Sequence, residues 1–340
     1  MTALRKQEKI FSTPLFIGGV YIKRNMVMAP MAGITDLPFR SLAKEGGAGL
    51  VFTEMISANA LVHKDERTSK MLRISKSEYP AGVQLFGAKP EVIAEAARIS
   101  EGAGADIIDI NLGCPVRKIV RSGAGVKLIE NEAHLIRVME KTVSAVKVPV
   151  TIKVRIGSNG GENTASRLAK IAREAGVSAI TVHGRTAEAV HSGSPDLDAI
   201  RAVVETSKIP VIGNGGIVDE LSAVNFVEKT GCAGIMIGRA AIGNFDIFKR
   251  IEYYINSGNI LPHPSWEDRL RYLKKHALIA SAYYGEKKGV ILLRKIAAYY
   301  LKGLPNASAI RNKFNKAQNL AELTELLNKV WHAPYFEGKI

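Results

Sequence analysis

The chain of 340 residues contains two cysteines, Cys114 and Cys232, far apart and without close metal-ligand spacing around either. Such scarcity excludes a disulfide framework and any zinc motif, no metal is expected, and a thiol is left free for chemistry. No stretch reaches the eighteen or so continuous apolar residues of a membrane span, so no transmembrane helix and no membrane partner are expected. The opening MTALRKQEKI lacks the apolar core of a secretory signal, and a cytoplasmic protein is expected. Acidic residues are also short, 32 against 47 Lys and Arg, a net charge of +15. The imbalance favours a polyanionic partner, and it is steepest in residues 251–340, which carry 14 basic and 7 acidic side chains. No strand-like run is followed by a G-x-G-x-x-G that opens a helix, and this argues against a dinucleotide-binding Rossmann domain.

What is present is a repeated alternation. Eight short apolar, β-branched runs recur: NMVMAP (25–30), GLVFTE (49–54), AGVQLFG (81–87), DIIDINL (106–112), VPVTIKV (148–154), SAITVHG (178–184), IPVIGNG (209–215) and AGIMIGR (233–239). Between them lie segments with helical spacing, among them 90–104, 133–147, 164–176 and 197–207. Continuous apolar strands joined by helical crossovers predict a parallel sheet covered by helices, and eight such units predict an α/β fold, a closed (β/α)₈ TIM barrel; a doubly wound open sheet is the alternative. Residues 15–24 read as a small hairpin turning at Gly18–Gly19 within an N-terminal segment 1–24, and the hairpin is a candidate plug for the barrel bottom. After residue 250 the strand signals stop, and 266–285, 289–304 and 319–331 read as amphipathic helices. The expected organisation is therefore a barrel over 25–250 followed by a small C-terminal helical domain over 251–340, joined through 256–264.

Active sites in such barrels are built at the C-terminal ends of the strands. The residues collected there are the Ala29–Gly33 segment, Gln84, Asn111, Cys114, Lys153, Arg155, His183, Arg185, Asn214–Gly216 and Gly238–Arg239. Singly, each has an ordinary structural explanation: Gln84 as a bonded core amide, Lys153 as a lysine reaching solvent, His183 as a core histidine. Polar groups set one after another around a single rim would be costly to bury without a ligand. Glycines after strands seven and eight, with Arg239, make a phosphate site through exposed N–H groups. A phosphate there, with an amide, a lysine and a histidine reaching over the barrel centre, suggests flavin mononucleotide (FMN): Gln84 and Asn111 on a polar ring edge, Lys153 against negative charge on the reduced ring.

APMAGITDLPFR (29–40), QLFG (84–87), NLGCPVRKIVRSGAG (111–125), IKVRIG (152–157), VHGRT (182–186), GNGGI (213–217) and GRAAIGN (238–244) together resemble the tRNA-dihydrouridine synthases, flavin enzymes that reduce the 5,6 double bond of particular uridines in tRNA. The resemblance runs over nearly the whole chain, including KGLP (302–305), and is nearest to the bacterial B-type. It implies that Pro30, Met31 and Ala32 line the flavin, that Gln84 and Lys153 contact its ring, and that Asn214, Gly215, Gly216, Gly238 and Arg239 hold its ribityl phosphate. It also implies His183 near the ring, Asn111 near flavin and uracil, and NADPH as reductant, which no dinucleotide motif here supports independently.

In that chemistry hydride reaches uracil C6 and a proton must reach C5. A thiol is still protonated near neutral pH, where a surface carboxyl is not, so Cys114 is the expected general acid. Gly113 and Pro115 would shape its loop, while Cys232, beside strand eight and without polar companions, reads as a buried hydrophobe. The target base must be splayed out of folded RNA, and Arg155 and Arg185 are candidates for reading its edges. Phosphate contacts are expected from Arg117, Lys118 and Arg121 beside the cysteine and from Lys274, Lys275, Lys287, Lys288, Arg294, Lys295, Arg311 and Lys313, each of which has a solvated surface charge as its ordinary alternative. Tyr283–Tyr284 and Tyr299–Tyr300 lie among these charges as stacking candidates, with core packing the commoner role of such pairs. A monomer is expected. Two rivals remain at this level: an FMN enzyme acting on a free pyrimidine such as dihydroorotate, against which the basic helical segment argues, and a non-catalytic RNA-binding protein, against which Gln84, Cys114 and Lys153 argue.

Overall fold

The computed structural model describes residues 14–157, 164–190 and 192–332. Among them ten strands form: β1 (Leu15–Ile17), β2 (Val20–Ile22), β3 (Met26–Met28), β4 (Leu50–Ser57), β5 (Ala81–Phe86), β6 (Ile107–Asn111), β7 (Val150–Arg155), β8 (Ala179–His183), β9 (Val211–Asn214) and β10 (Gly234–Ile237). Strands β3 to β10 are parallel and close into a barrel, β10 pairing back onto β3. Each of the eight apolar runs supplies one strand of the expected (β/α)₈ barrel. Their near-continuous burial, complete in β6 and β8, follows from helices on the outside and packed side chains within.

The β1–β2 hairpin is antiparallel and turns at Gly18–Gly19, as expected. A Cβ on Gly18 would lie 2.8 Å from Pro149, just ahead of β7, and one on Gly234 would lie 3.2 Å from Leu15. The hairpin therefore closes the N-terminal end of the barrel, away from the strand ends that carry the polar residues.

The crossover helices are α1 (Leu37–Glu45), α2 (Ala58–Val62), α3 (Glu66–Met71), α4 (Pro90–Gly102), α5 (Arg117–Arg121), α6 (Glu132–Ala145), α7 (Thr164–Glu174), α8 (Leu197–Thr206), α9 (Glu220–Thr230) and α10 (Ile247–Ser257). Helix α10 runs across residue 250, and Arg250 in it donates to Glu220 of α9 at 2.6 Å in a buried ion pair, so this helix packs with the barrel. Four helices follow: α11 (Trp266–Tyr284), α12 (Glu286–Tyr300), α13 (Ala307–Lys316) and α14 (Leu320–Trp331).

They dock on the barrel through an aromatic cluster in which Phe39, Phe245, His276 and Tyr300 meet edge to face or tilted. Burial pushes His276 down to about 3, so the ring is neutral, and its Nδ1 lies 2.8 Å from the Tyr300 hydroxyl. Tyr284 donates to Asp36 at 3.0 Å and Tyr283 to the Lys70 carbonyl at 3.0 Å. These tyrosines are docking residues. Between barrel and helices a cleft of about 930 Å³ remains, walled by Ala32, Gly33 and Glu54 on one side and Tyr284, Lys288 and Lys295 on the other. Among the described residues no helix is long and apolar enough to cross a membrane, and no cluster of three or more His, Cys, Asp or Glu could hold a metal ion.

Candidate active site

The cysteine loop begins where β6 runs out. Asn111, the last residue of the strand, accepts through Oδ1 from the N–H of Gly113 at 3.2 Å and of Cys114 at 3.0 Å, so a side chain replaces the lost strand partner and turns the chain. From the other side the Val126 N–H donates to the Cys114 carbonyl at 3.3 Å. Gly125 makes that approach possible: its φ is +63°, and a Cβ would lie 2.5 Å from the Cys114 carbonyl oxygen. The thiol is half-buried, and burial pushes its pKa up, against weaker pulls from the Val116 N–H and the Arg155 charge. Cys232 is 1% exposed and sealed beside Gly213.

Arg155 closes the loop rather than reaching over the barrel mouth. Its Nε donates to the Gly113 carbonyl at 2.9 Å, and its Nη1 to Thr186 at 2.7 Å and Val190 at 3.0 Å. The base-reading role expected for it thus competes with three bonds to backbone.

Below the loop is a ladder of polar side chains in register across β5, β6 and β7. Gln84, 1% exposed, donates through Nε2 to Asp109 Oδ2 at 2.7 Å and accepts through Oε1 from Asn111 Nδ2 at 2.9 Å. Thr151 donates to Asp109 Oδ1 at 2.7 Å. Burial raises Asp109 to about 6 against these hydrogen bonds and the Lys153 charge. Lys153 donates to Asn214 Oδ1 at 3.0 Å and is pushed down to about 8 by burial and by the Arg155 charge. Asn214 is held in turn by its own bond to the Met236 carbonyl at 2.8 Å.

At the far end of the mouth Gly215, Gly216, Gly238 and Arg239 lie together, and Arg185, expected at the base edge, stands among them. Gly215 has φ +119°, and a Cβ there would lie 3.0 Å from the His183 ring and 3.3 Å from Arg185 Nη1, so the turn admits only glycine without displacing both. Arg185 is fixed by bonds to the Ser192 and Gly193 carbonyls, and its pKa is lowered by burial and by the neighbouring Arg239 charge. Two guanidiniums within each other's field, beside Gly216 and Gly238, favour an anion between them. Met31 approaches this end, since a Cβ on Gly238 would meet its sulfur at 3.9 Å.

The wall formed by Pro30, Met31 and Ala32 is braced from below. Thr35 accepts from the Met31 N–H at 2.9 Å, and Arg40, 1% exposed, donates to the Thr35 and Arg73 carbonyls and pairs with buried Glu78 at 2.8 Å. Asp36 caps α1 by accepting from Phe39, and burial raises it to about 6. The residues of APMAGITDLPFR beyond the mouth thus shape the wall.

A family model described as dihydrouridine synthase matches residues 27–333. The chain belongs to that family. Over 300 residues this dihydrouridine synthase is 42% identical to the probable tRNA-dihydrouridine synthase of Rickettsia conorii, an alignment covering 88% of the chain and 91% of the relative. It is 39% identical to tRNA-dihydrouridine synthase B of Pseudomonas putida over 89% of the chain and 90% of that protein, and 38% identical to the Klebsiella pneumoniae B enzyme over 95% and 99%. Among solved structures, histamine dehydrogenase from Rhizobium sp. 4-9 aligns with a TM-score of 0.60 at 14% identity, covering 96% of this chain and 64% of that one, a likeness of fold alone.

The expected RNA-contacting residues of the synthase fall into two sets. Arg117, Lys118 and Arg121 are exposed on α5, directly after the cysteine loop, and Lys274 is exposed on α11. Lys295 reaches back to the mouth, its Nζ 3.1 Å from where a Gly33 Cβ would stand. Lys275 instead spends its charge on Glu45 of α1 at 2.5 Å, and Arg294 donates to the Ala317 carbonyl at 2.7 Å with a buried Nε, so both are committed within the protein. Asp109, Arg40 and Asp36 are not among the expected site residues, although an acid inside the apolar run DIIDIN is a visible signal.

Proposed function

We propose that this dihydrouridine synthase is a B-type enzyme that reduces the 5,6 double bond of specific uridines in tRNA, with FMN as cofactor and NADPH as reductant. The observation that carries the reading is the Cys114 loop, held by Asn111 and Arg155 at the rim of a barrel mouth whose other edge is the Arg185–Arg239–Gly215 cradle. The donor set fits FMN: the cradle takes an anion, the Pro30–Ala32 wall is apolar, and Asn111 and Lys153 offer hydrogen bonds where a polar ring edge would lie, while Gln84, expected at the ring, is as buried as Asp109 and spends its amide on Asp109 and Asn111, backing Asn111 from below. Bound there, FMN supplies the hydride that uracil C6 receives. Lys153 would hold positive charge against the ring with His183 near it, and Arg185, which sits beside Arg239 and Gly215, would hold the phosphate end in place of the uracil edge expected for it.

Cys114 holds a proton at Sγ for uracil C5. Its raised pKa keeps that proton in place through neutral pH, which suits an acid whose acceptor is carbon. Asn111 anchors the loop that carries it, and the cleft beside Lys288 and Lys295 gives a flipped nucleotide a path in. Residues 25–250 with the remainder of α10 form the FMN-binding unit, and the helices from α11 onward help hold tRNA.

The test is mass spectrometry of unmodified tRNA incubated with the protein, FMN and NADPH. A gain of two hydrogens at one mapped uridine is expected. A flavin-loaded protein that leaves tRNA unchanged but reduces free uracil or orotate would overturn the assignment in favour of a small-molecule reductase.

A further inference from the structure

We infer that Asp109 is a positioning residue for the Cys114 loop, acting through a chain of hydrogen bonds whose direction it sets. The inference rests on the reading of Cys114 as proton donor.

An ionised carboxylate only accepts. Facing one, Gln84 must turn its NH₂ toward Asp109, at 2.7 Å, and its carbonyl oxygen away. The next amide is then obliged to offer NH₂ to that oxygen, and Asn111 does so at 2.9 Å. Only one orientation is left for Asn111 Oδ1, toward the main-chain N–H groups of Gly113 and Cys114 at 3.2 and 3.0 Å. The chain has an acceptor-only root and a donor-only end, so both ends demand the same sense of both amides. Reversing either amide would set oxygen against oxygen or N–H against N–H in a buried place.

Asp109 itself is anchored by Thr151 and is 2% exposed, too deep to touch a substrate at the mouth. Its burial has no explanation in packing, because an apolar residue of similar size would suit the interior better. What the carboxylate supplies there is an acceptor for Gln84 and Thr151, within the field of the Lys153 charge. Since Asn111, 9% exposed, is also the amide proposed to meet the flavin ring, the chain that starts at Asp109 joins the cofactor edge to the acid loop through that one side chain.

The test is Cys114 alkylation by iodoacetamide in the FMN-loaded protein, read peptide by peptide, with buried Cys232 as internal reference. Asp109→Leu removes the acceptor. Its Cys114 is expected to alkylate about tenfold faster, the change from losing about one loop-holding hydrogen bond, while turnover drops about 100-fold as the donor moves off its geometry. Asp109→Asn keeps one acceptor oxygen and is expected to return most of both. Parental alkylation in Asp109→Leu overturns the inference, and so does an Asn variant as damaged as the Leu variant, which would make charge rather than hydrogen-bond direction the cause. If Asp109→Leu does not fold, Gln84→Met interrupts the same chain one link later: faster Cys114 alkylation there supports the inference and an unchanged rate overturns it. Cys114→Ala with normal turnover would sink the proton-donor reading while leaving the alkylation result standing.

Discussion

In the role proposed for Cys114, a proton donor to carbon must keep its proton until the carbon needs it, and burial of the thiol would serve that requirement. Turnover should therefore hold through neutral pH and fall as pH rises through the raised thiol pKa, because the thiolate has nothing to give. Cys114→Ala should retain FMN and tRNA while losing about 10²–10⁴-fold in dihydrouridine formation, measured in single turnovers with pre-reduced flavin; an unchanged rate would remove the acid role. Asp109 gives a second test with the opposite sign of expectation for stability. Held at about 6 in the folded chain against an ordinary 3.8, it keeps a proton that the unfolded chain has released. Stability from this group therefore falls as pH rises from about 4 to about 6 and is level above, and Asp36 contributes in the same sense. Urea midpoints of Asp109→Asn should show a shallower decline over that window. Cys114 was legible in the sequence because a thiol between glycine and proline past an apolar strand has few structural uses. Arg155 was not legible as a loop clamp, since its partners are carbonyls of Gly113, Thr186 and Val190, and which carbonyls meet is decided by how loops close rather than by residue type.

At the scale of elements, the eight barrel strands could be read from continuous apolar runs, and the hairpin from Gly18–Gly19. Helix α13 could not, because ASAIRNKFNK is polar and buries only Ile310 and Phe314 among its ten residues. The end of the barrel was equally hidden, for α10 is amphipathic like the helices after it, and it is its contacts, the buried pair with Glu220 and Phe248 against Gly47, that show which body it packs on. Two predictions belong to the turn and the helix that frame the mouth. A side chain at Gly215 is strained by φ +119° and crowds the His183 ring at 3.0 Å and Arg185 Nη1 at 3.3 Å, so Gly215→Ala should weaken FMN binding by about tenfold, roughly one charge-assisted hydrogen bond. Riboflavin, which lacks the phosphate, should bind parent and variant alike, and equal losses for both in calorimetric titration would place the phosphate elsewhere. Arg40→Met leaves Glu78 charged and buried without its partner, a loss of about 3–5 kcal/mol in unfolding free energy. Because Arg40 also holds the Thr35 carbonyl, flavin should leave this variant faster at temperatures where it remains folded.

The whole molecule carries +15, but its cations do not act alike. Lys275 is spent on Glu45 across the junction of α11 with the barrel, and its reversal sets two carboxylates against each other where the helical segment docks. Lys118 and Arg121 stand exposed beside the cysteine loop with no acid paired to them in the ion pairs found among the described residues. Counterion release makes the two cases separable: each duplex phosphate contact adds about 0.9 to the slope of log affinity against log salt. The double variant Lys118→Glu, Arg121→Glu should bind tRNA more weakly at low salt and flatten that slope by up to about 2, with an unchanged melting temperature. Lys275→Glu should lower the melting temperature and leave the slope near the parental value. A slope unaltered by the α5 pair, measured by filter binding from low to moderate salt, would move the RNA track off the cysteine side of the mouth and onto the face of α12, where Lys288 and Lys295 line the cleft.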